Sequence, residues 1–234
     1  MTSIRALLFD VFGTVVDWRG SIIAEGSEFN RQKGTAVDWA NFADRWRSMY
    51  QPAMEKVRTG ARDWTILDAL HRESLEVLIP EFGLEHLDES ERDHLNRIWH
   101  RLRPWPDSVE GLLRMKANHI IATCSNGNVA LIVNMAKYSG LPWDMVLGAE
   151  VTRHYKPLTE SYLTSARLLG LKPEECCMVA AHNSDLVAAG KLGFATAFVP
   201  RPTEYGPDQD FDLEAEKPYT FVAENFIDLS RQLE

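Results

Sequence analysis

The chain has 234 residues, of which 45% are hydrophobic and 25% are charged, and its 25 basic and 34 acidic residues give a formal charge of −9. This composition is typical of a globular protein with a substantial core. The negative charge, with basic residues scattered among acidic ones, disfavours binding to nucleic acid or to an anionic membrane surface. No stretch reaches the ~20 apolar residues that a membrane-spanning helix needs.

The three cysteines, Cys124, Cys176 and Cys177, cannot form a closed set of disulfides. Two of them are adjacent in a predicted buried strand, so we expect free thiols in the core of a cytoplasmic protein. The first residues carry no basic segment followed by a long apolar core, and we therefore expect no signal peptide.

Four apolar runs predict β-strands, and helical patterns separate the later runs. The predicted strands are residues 5–10, 119–125, 176–182 and 195–200, with 145–150 as a fifth candidate. The helical patterns lie at residues 128–139, 158–169 and 185–192. This alternation predicts an α/β fold, a Rossmann-like parallel sheet core with helices on both faces.

Residues 18–103 interrupt the alternation, because they contain helical patterns and no convincing strand. Pro52 lies inside an amphipathic stripe and is expected to kink or split that helix. Asp63 is a candidate N-cap for the next helix. Asp88 followed by Glu91 fits a capping arrangement at a later one.

The predicted domain organisation follows from this interruption. An α/β core domain comprises residues 1–17 and 104–234, and a helical cap domain, residues 18–103, is inserted after the first strand. Residues 203–218 are acidic and contain Gly and Pro, so we expect a long surface loop before a final helix. A cap on such a core implies a site at their interface that closes over its substrate.

Polar side chains follow the predicted strands. They are Asp10, Ser125 with Asn126, Lys156, and the run from His182 to Asp185. The carboxyl ends of parallel strands meet at one edge of a sheet, so these groups are expected to converge there. Each of these residues or pairs alone is common in ordinary turns. Their joint order is more specific.

The run Asp10-Val11-Phe12-Gly13-Thr14, with the later polar groups and the inserted helices, resembles the haloacid dehalogenase superfamily. Within the superfamily it is most similar to the type II 2-haloacid dehalogenases, over nearly the whole chain. The resemblance implies hydrolysis of a small halocarboxylic acid to a 2-hydroxy acid through an aspartyl ester. It implies no cofactor, and it implies a homodimer.

Phe12 favours the dehalogenases over the phosphatases of the superfamily. Phosphatase members carry an aspartate at this position as a general acid for an alkoxide leaving group. A halide is the anion of a strong acid and needs no proton to depart, so an apolar residue suits halide displacement. The alternatives are a Mg²⁺-dependent phosphatase and a binding protein on an inactive hydrolase scaffold.

The resemblance also implies roles for the residues around the nucleophile. Asp10 is expected to attack the carbon that carries the halogen. Thr14 is expected to orient Asp10. Ser125 and the backbone N–H groups after Asp10, at Val11 and Phe12, are expected to hold the substrate carboxylate. Asn126 is expected near the departing halide.

Charged groups complete the predicted site. Lys156 and Asp185 are expected to hold the charge balance, with Asp185 orienting or deprotonating the hydrolytic water. Tyr162 lies six residues beyond Lys156, as a functional tyrosine does in the family, and a core aromatic is the equal alternative. Arg47 is the predicted halide-binding cation from the cap, and Arg45 is its alternate.

The turn before Asp185 departs from the family pattern. Well-known dehalogenases of this type have Ser and Asn where this chain has Ala180 and His182. His182 is expected to order water, to narrow the halide pocket, or to be a hydrogen-bonded histidine behind the site. Asn183, in the same turn, is a further candidate for substrate binding. Asp185 is the only carboxylate in this turn, so we expect no metal site.

Overall fold

The computed structural model describes residues 3–234, so residues 1 and 2 of the predicted core domain lie outside the described part. In chain order the strands are β1 (Ala6–Phe9), β2 (Val16–Asp17), β3 (Arg103–Pro104), β4 (Ile120–Thr123), β5 (Cys176–Ala180), β6 (Ala195–Phe198) and β7 (Phe221–Val222). The helices are α1 (Trp18–Lys33), α2 (Trp39–Arg58), α3 (Leu67–Glu81), α4 (Glu89–Asn96), α5 (Ser108–Lys116), α6 (Val129–Ser139), α7 (Ala149–Thr152), α8 (Thr159–Leu168), α9 (Asn183–Gly190) and α10 (Phe226–Gln232). Short 3-10 turns lie at Arg97–Arg101 and Pro173–Glu175.

Five parallel strands form the central sheet in the order β4-β1-β5-β6-β7. Side chains of a strand alternate between the faces of the sheet, and β1 follows this rule. Leu7 and Phe9 belong to one buried cluster, and Ala6 and Leu8 belong to the other. The sheet therefore carries a core on each face, and the predicted α/β class with four of its strands is confirmed.

The fifth predicted strand, residues 145–150, is wrong. Met145 and Gly148 make isolated parallel bridges to Ala122 and Ser125, and the chain then enters α7. Gly148 has φ +135, and a Cβ there would lie 2.0 Å from the carbonyl oxygen of Ser125. This close backbone approach prevents a regular ladder. The fifth strand of the sheet is instead β7.

The segment between β2 and β3 contains α1 to α4, as its helical patterns predict. Asp88 and Glu91 form the expected capping box at α4. Pro52 does not split α2, which is continuous from Trp39 to Arg58. Asp63 is not the N-cap of α3, because that helix begins at Leu67, after Ile66.

A two-stranded antiparallel ribbon joins the two ends of this helical segment. Val16 pairs with Pro104, and Asp17 pairs with Arg103. Sequence patterns did not reveal β2 and β3, since two-residue strands are too short to show periodicity. None of the helices within residues 3–234 is long and apolar enough to cross a membrane. The three cysteines are free and buried, as expected.

Arg201, after β6, ties the carboxyl edge of the sheet to α5 and α10. Its guanidinium forms two hydrogen bonds to Asp107, at 2.7 and 2.9 Å, and donates a third to the carbonyl oxygen of Thr14 at 2.9 Å. It also lies over the ring of Phe226 at 4.8 Å. A buried, doubly paired guanidinium of this kind holds separate elements in a fixed relation.

We expect Arg201→Met to lower the free energy of unfolding by about 3 kcal/mol, because it leaves the Asp107 carboxylate without its partner. Urea unfolding at neutral pH measures the change. Arg5→Met is the control, since its ion pair with Glu175 is exposed and is expected to contribute less than about 1 kcal/mol. Equal effects of the two substitutions would contradict this account of Arg201.

Candidate active site

Most of the polar groups predicted to converge do so at the carboxyl edge of β1 and β5. Asp10, Asn126, Lys156, His182 and Asp185 line a cavity of about 220 Å³. Its lining includes Asp10, Phe12, Arg47, Tyr50, Gln51, Asn126, Lys156, Pro157, Tyr162, His182, Ser184, Asp185, Tyr205 and Asp212. A cavity of this size, closed by side chains from α2, suits a small ligand rather than a drug-sized one.

Asp10 lies at the floor of the cavity and is held by donors on both oxygens. Lys156 Nζ lies 2.8 Å from Oδ1, and Thr14 Oγ1 donates to Oδ2 at 2.7 Å. Thr14 is itself fixed, because its oxygen accepts the backbone N–H of Ala181 at 2.9 Å. Burial alone would raise the pKa of Asp10, but Lys156 and His182 outweigh it and lower that pKa below its ordinary value.

Lys156 bridges two carboxylates. Its ammonium lies 2.8 Å from Asp10 and 2.5 Å from Asp185 Oδ2. Tyr162 donates its hydroxyl proton to the other oxygen of Asp185 at 2.5 Å. Burial disfavours the charged ammonium, but the two carboxylates outweigh it and raise the pKa of Lys156. Lys156 therefore stays charged and lies within hydrogen-bond distance of both carboxylates.

The residues present do not fit a divalent cation. The position between Asp10 and Asp185 is taken by the Lys156 ammonium, which already balances the two carboxylates. Across residues 3–234, no group of three or more His, Cys, Asp or Glu side chains is arranged to hold a metal ion. A Mg²⁺ ion requires several oxygen ligands, which this lysine-bridged pair does not offer.

His182 lies between two carboxylates. Its Nδ1 is 3.2 Å from Asp10 Oδ2, and its Nε2 is 2.9 Å from Glu204 Oε2. Both ring nitrogens can donate only when the imidazole is protonated. Burial disfavours that charge, but Glu204 and Asp10 outweigh it and raise the pKa of His182 well above its ordinary value.

Glu204 is almost completely buried, and three neighbours besides His182 surround its carboxylate. Trp18 Nε1 donates to Oε1 at 3.0 Å, and Arg47 Nη2 lies 4.0 Å from the same oxygen. Gly13 packs directly against it: a Cβ at residue 13 would lie 2.0 to 2.4 Å from the Glu204 carboxylate atoms. Gly13 also has φ +86, which favours glycine.

These contacts form one continuous chain of charges. Each neighbouring pair is separated by 4.0 Å or less, and the sign alternates along the chain. In order, its members are Asp185, Lys156, Asp10, His182, Glu204 and Arg47. We call this series the charge chain. Three buried acids thus face three cations, so none of the six is an uncompensated buried charge.

Arg47 extends from α2 into the cavity, where it lies 4.2 Å from the centre of the Tyr50 ring and 5.3 Å from that of Trp18. Its Nη1 is buried and has no hydrogen-bond partner within the described residues. Burial opposes its charge, but Tyr205, Tyr50 and Glu204 outweigh it and raise the pKa of Arg47. The alternate, Arg45, lies on the exposed side of α2 and pairs with Glu81.

Ser125 and Asn126 divide in their contacts. Asn126 lines the cavity, and its Oδ1 accepts the backbone N–H of Lys156 at 2.8 Å. Ser125 does not line it; its Oγ accepts the N–H of Gly127 at 3.1 Å. Within residues 3–234, the backbone N–H groups of Val11 and Phe12 donate to no protein acceptor. They remain available for an anion beside Asp10.

Asn183 does not line the cavity, contrary to the expectation that it binds substrate. Its side-chain amide donates to Asp212 and to the carbonyl of Glu214, and its Oδ1 accepts the N–H of Glu216. Tyr219 donates to the same Oδ1 at 2.8 Å. Asn183 therefore fastens the loop of residues 203–218 to the start of α9.

Several residues that line the cavity or lie directly behind it were not identified from the sequence. Tyr50 lies one helical turn beyond Arg47, so its spacing places it on the same face of α2 as that predicted site residue. Glu204, Tyr205 and Asp212 belong to the long loop after β6. Residues there follow no periodic pattern, and their approach to β1 is decided by tertiary contacts.

The stability of the fold should depend on the charge of His182. A raised folded-state pKa contributes stability that is fully present below the unfolded-state value of ~6.5 and is lost as pH rises through the folded-state value. We expect the wild type to lose more free energy of unfolding than His182→Asn between pH values of about 6 and 9. Urea unfolding at each pH measures this difference. Parallel curves for the two proteins would contradict a raised pKa.

Comparison with known proteins agrees with this geometry. The family described as haloacid dehalogenase-like hydrolase matches residues 4–193. (S)-2-haloacid dehalogenase 4A of Burkholderia cepacia is 30% identical over 212 residues, which cover 87% of this chain and 87% of that protein. A crystal structure of an L-2-haloacid dehalogenase is 50% identical, with a TM-score of 0.96 and 99% of each chain covered.

A second crystal structure, of a defluorinating L-2-haloacid dehalogenase, is 47% identical, with a TM-score of 0.95 over 98% of this chain and 95% of that one. The predicted resemblance is thus confirmed over both the sheet and the inserted helices. The charge chain, the fold and the similarity lead to one conclusion. The chain belongs to the haloacid dehalogenase-like hydrolase family.

Proposed function

We propose that this protein hydrolyses 2-haloalkanoates, and (S)-2-haloalkanoates where the carbon is chiral, to 2-hydroxyalkanoates and halide. The observation that carries the proposal is a buried, ionised Asp10 held by Lys156 and Thr14 beside the apolar ring of Phe12. The relatives at 30 to 50% identity are named as 2-haloacid dehalogenases. Haloacetates fit a cavity of about 220 Å³.

The reaction has two steps. An oxygen of Asp10 forms a bond to the carbon that carries the halogen, the carbon–halogen bond breaks, and halide leaves with the bonding electrons. Water then attacks the carbonyl carbon of the Asp10 ester, and the bond between that carbon and the ester oxygen breaks. The 2-hydroxy acid leaves with the Asp10 oxygen that formed the ester, and one oxygen from water replaces it in the Asp10 carboxyl group.

Substrate orientation follows from the charges and N–H groups of the cavity. The unengaged backbone N–H groups of Val11 and Phe12 suit the substrate carboxylate. Asn126 lines the same cavity and is the candidate to lie near the departing halide. Ser125 stabilises the turn after β4 by accepting the backbone N–H of Gly127, and its side chain does not line the cavity. Arg47, with a free and buried Nη1, suits the departing halide.

A Mg²⁺-dependent phosphatase is not favoured. Phe12 stands where phosphatase members carry their general acid, and the Lys156 ammonium takes the position between the two carboxylates. Halide release in the presence of EDTA separates the two activities. A phosphate release from small esters that requires Mg²⁺ would favour the phosphatase instead.

The proposal also covers the domain organisation, the oligomeric state and the location of the protein. The helical segment of residues 18–103 acts as a cap over the core of residues 1–17 and 104–234, and the ribbon of β2 and β3 is its connection. The enzyme works as a homodimer in the cytoplasm. Partners other than the small halocarboxylic acid, such as nucleic acid or membrane, are not part of the proposal.

We expect Asp10→Asn to abolish activity, with a loss of about 10⁴-fold or more, because the amide nitrogen and oxygen are poor nucleophiles. Halide release from chloroacetate, bromoacetate and fluoroacetate in EDTA measures the loss. In ¹⁸O-labelled water, a single turnover of the wild type should place heavy oxygen in Asp10. Product formation without label in that side chain would contradict the ester mechanism.

Arg47 and Arg45 provide a matched pair of variants on one helix. We expect Arg47→Met to lower kcat/KM for chloroacetate by about 10²-fold or more, since the leaving halide loses its cation. Arg45→Met should stay within about two-fold, because Arg45 pairs with Glu81 outside the cavity. Equal losses, or a normal kcat/KM for Arg47→Met, would remove Arg47 from the site.

A further inference from the structure

The group that activates the hydrolytic water can be assigned from the contacts of the charge chain. Asp185 is the carboxylate that the sequence suggested for this step. Its Oδ2 lies 2.5 Å from the Lys156 ammonium, and its Oδ1 accepts the Tyr162 hydroxyl proton at 2.5 Å. Both oxygens therefore already have a short-range donor. Because both of its oxygens are engaged, Asp185 is better suited to positioning Lys156 than to accepting a proton from water.

His182 is better placed for proton transfer. Its Nδ1 lies 3.2 Å from Asp10 Oδ2, beside the carboxyl group that water must attack in the ester. Its Nε2 lies 2.9 Å from Glu204. The Glu204 carboxylate is 2% exposed, and it is held by the indole N–H of Trp18 at 3.0 Å. A buried, fixed carboxylate behind an imidazole orients the ring and stabilises the imidazolium that forms.

We propose that His182 and Glu204 act together in hydrolysis of the Asp10 ester, with His182 as the general base that takes a proton from the attacking water and Glu204 as the positioning residue behind it. The inference rests on the proposed function and deepens it. It assigns to His182 one definite role in place of the three that the sequence left open. It also gives Glu204, which no pattern in the sequence identified, a place in the reaction.

The protons balance as follows. In the resting enzyme His182 is protonated between two carboxylates. When Asp10 becomes a neutral ester, the imidazolium loses one of its two anions and releases its Nδ1 proton to water. Neutral His182 then takes a proton from the attacking water, and the departing alkoxide of the 2-hydroxy acid takes that proton from Nδ1. The regenerated Asp10 carboxyl group returns a proton to His182. Each turnover releases one proton and one halide ion.

The pH dependence of hydrolysis follows from the groups around the imidazole. The charged groups that face His182 or its partners come from β1, α2, α9 and two loops, and they are Asp10, Arg47, Lys156, Asp185, Glu204 and Asp212. Ester formation neutralises Asp10, so Glu204 remains as the anion in direct contact with His182. The pKa of His182 therefore falls in the ester, and the rate of hydrolysis should rise with pH as the imidazole loses its proton.

Rapid-quench kinetics with chloroacetate separates the two steps. The wild type, His182→Asn and Glu204→Gln are each mixed with substrate, and halide, 2-hydroxy acid and the intact mass of the protein are measured over time. We expect His182→Asn to release one halide per active site, to accumulate the ester on Asp10, and to hydrolyse it about 10²-fold or more slowly than the wild type.

The pH profile of ester hydrolysis by Glu204→Gln distinguishes a role in proton transfer from a purely structural one. A purely structural role would leave that profile unchanged. The neutral amide stabilises the imidazolium less than a carboxylate does, so the rising limb of the pH profile for hydrolysis should shift to lower pH. We expect the hydrolysis rate at its plateau to fall about 10-fold or more. An unchanged pH profile in Glu204→Gln would remove Glu204 from the proposal even if the variant is slow.

His100→Asn is the matched control. His100 is also a buried imidazole paired with a carboxylate, since its Nε2 lies 3.0 Å from Asp68, but it does not line the cavity. Both steps should be unchanged in this variant. Hydrolysis of the ester by His182→Asn within about two-fold of the wild-type rate would overturn the inference and leave the proposed function standing. A wild type that releases no halide and forms no ester would instead overturn the proposed function.

Discussion

The alternating charge chain is the constraint on which the site depends. A lone ionised carboxylate in a dry cavity would take up a proton rather than remain a nucleophile. Here Lys156 on one side and His182 on the other keep Asp10 ionised, and each of these cations has a second acid beyond it. The six groups come from two strand ends, two helices and two loops, so these elements must all be in place before all six charges are compensated. Activity and folding are therefore linked through the same ion pairs.

The sequence indicated the part of the site that parallel-sheet topology dictates. Asp10 and His182 follow buried apolar runs, and Lys156 follows a turn, so their convergence could be expected before any coordinates. Arg47 was found because helical spacing places it on the apolar face of α2. Glu204 was not found, because it follows β6 in a loop without period. Its approach to Gly13 depends on Arg201 and on the fastening of that loop by Asn183.

The errors of the sequence analysis have related physical causes. Residues 145–150 have the apolar content of a strand, but Gly148 brings its backbone against Ser125 and ends the ladder after single bridges. Asn183 stands in a turn full of functional groups, yet its amide bonds to the long loop. Residues 145–150 were predicted to be a strand from their apolar content, and Asn183 was predicted to bind substrate from its place in a functional turn. The direction of the backbone or side chain was decided by long-range contacts that composition does not encode.

The contact between Gly13 and Glu204 makes two distant positions sterically dependent on each other. A side chain at residue 13 would occupy the space that the Glu204 carboxylate fills. An engineer who grafts a histidine alone into the corresponding turn of a relative would bury an imidazole with one nitrogen lacking an acceptor. The graft has to carry three positions at once: the histidine, the acid of the distant loop, and the glycine that leaves room for it. Protein design on this scaffold must therefore change these three positions together.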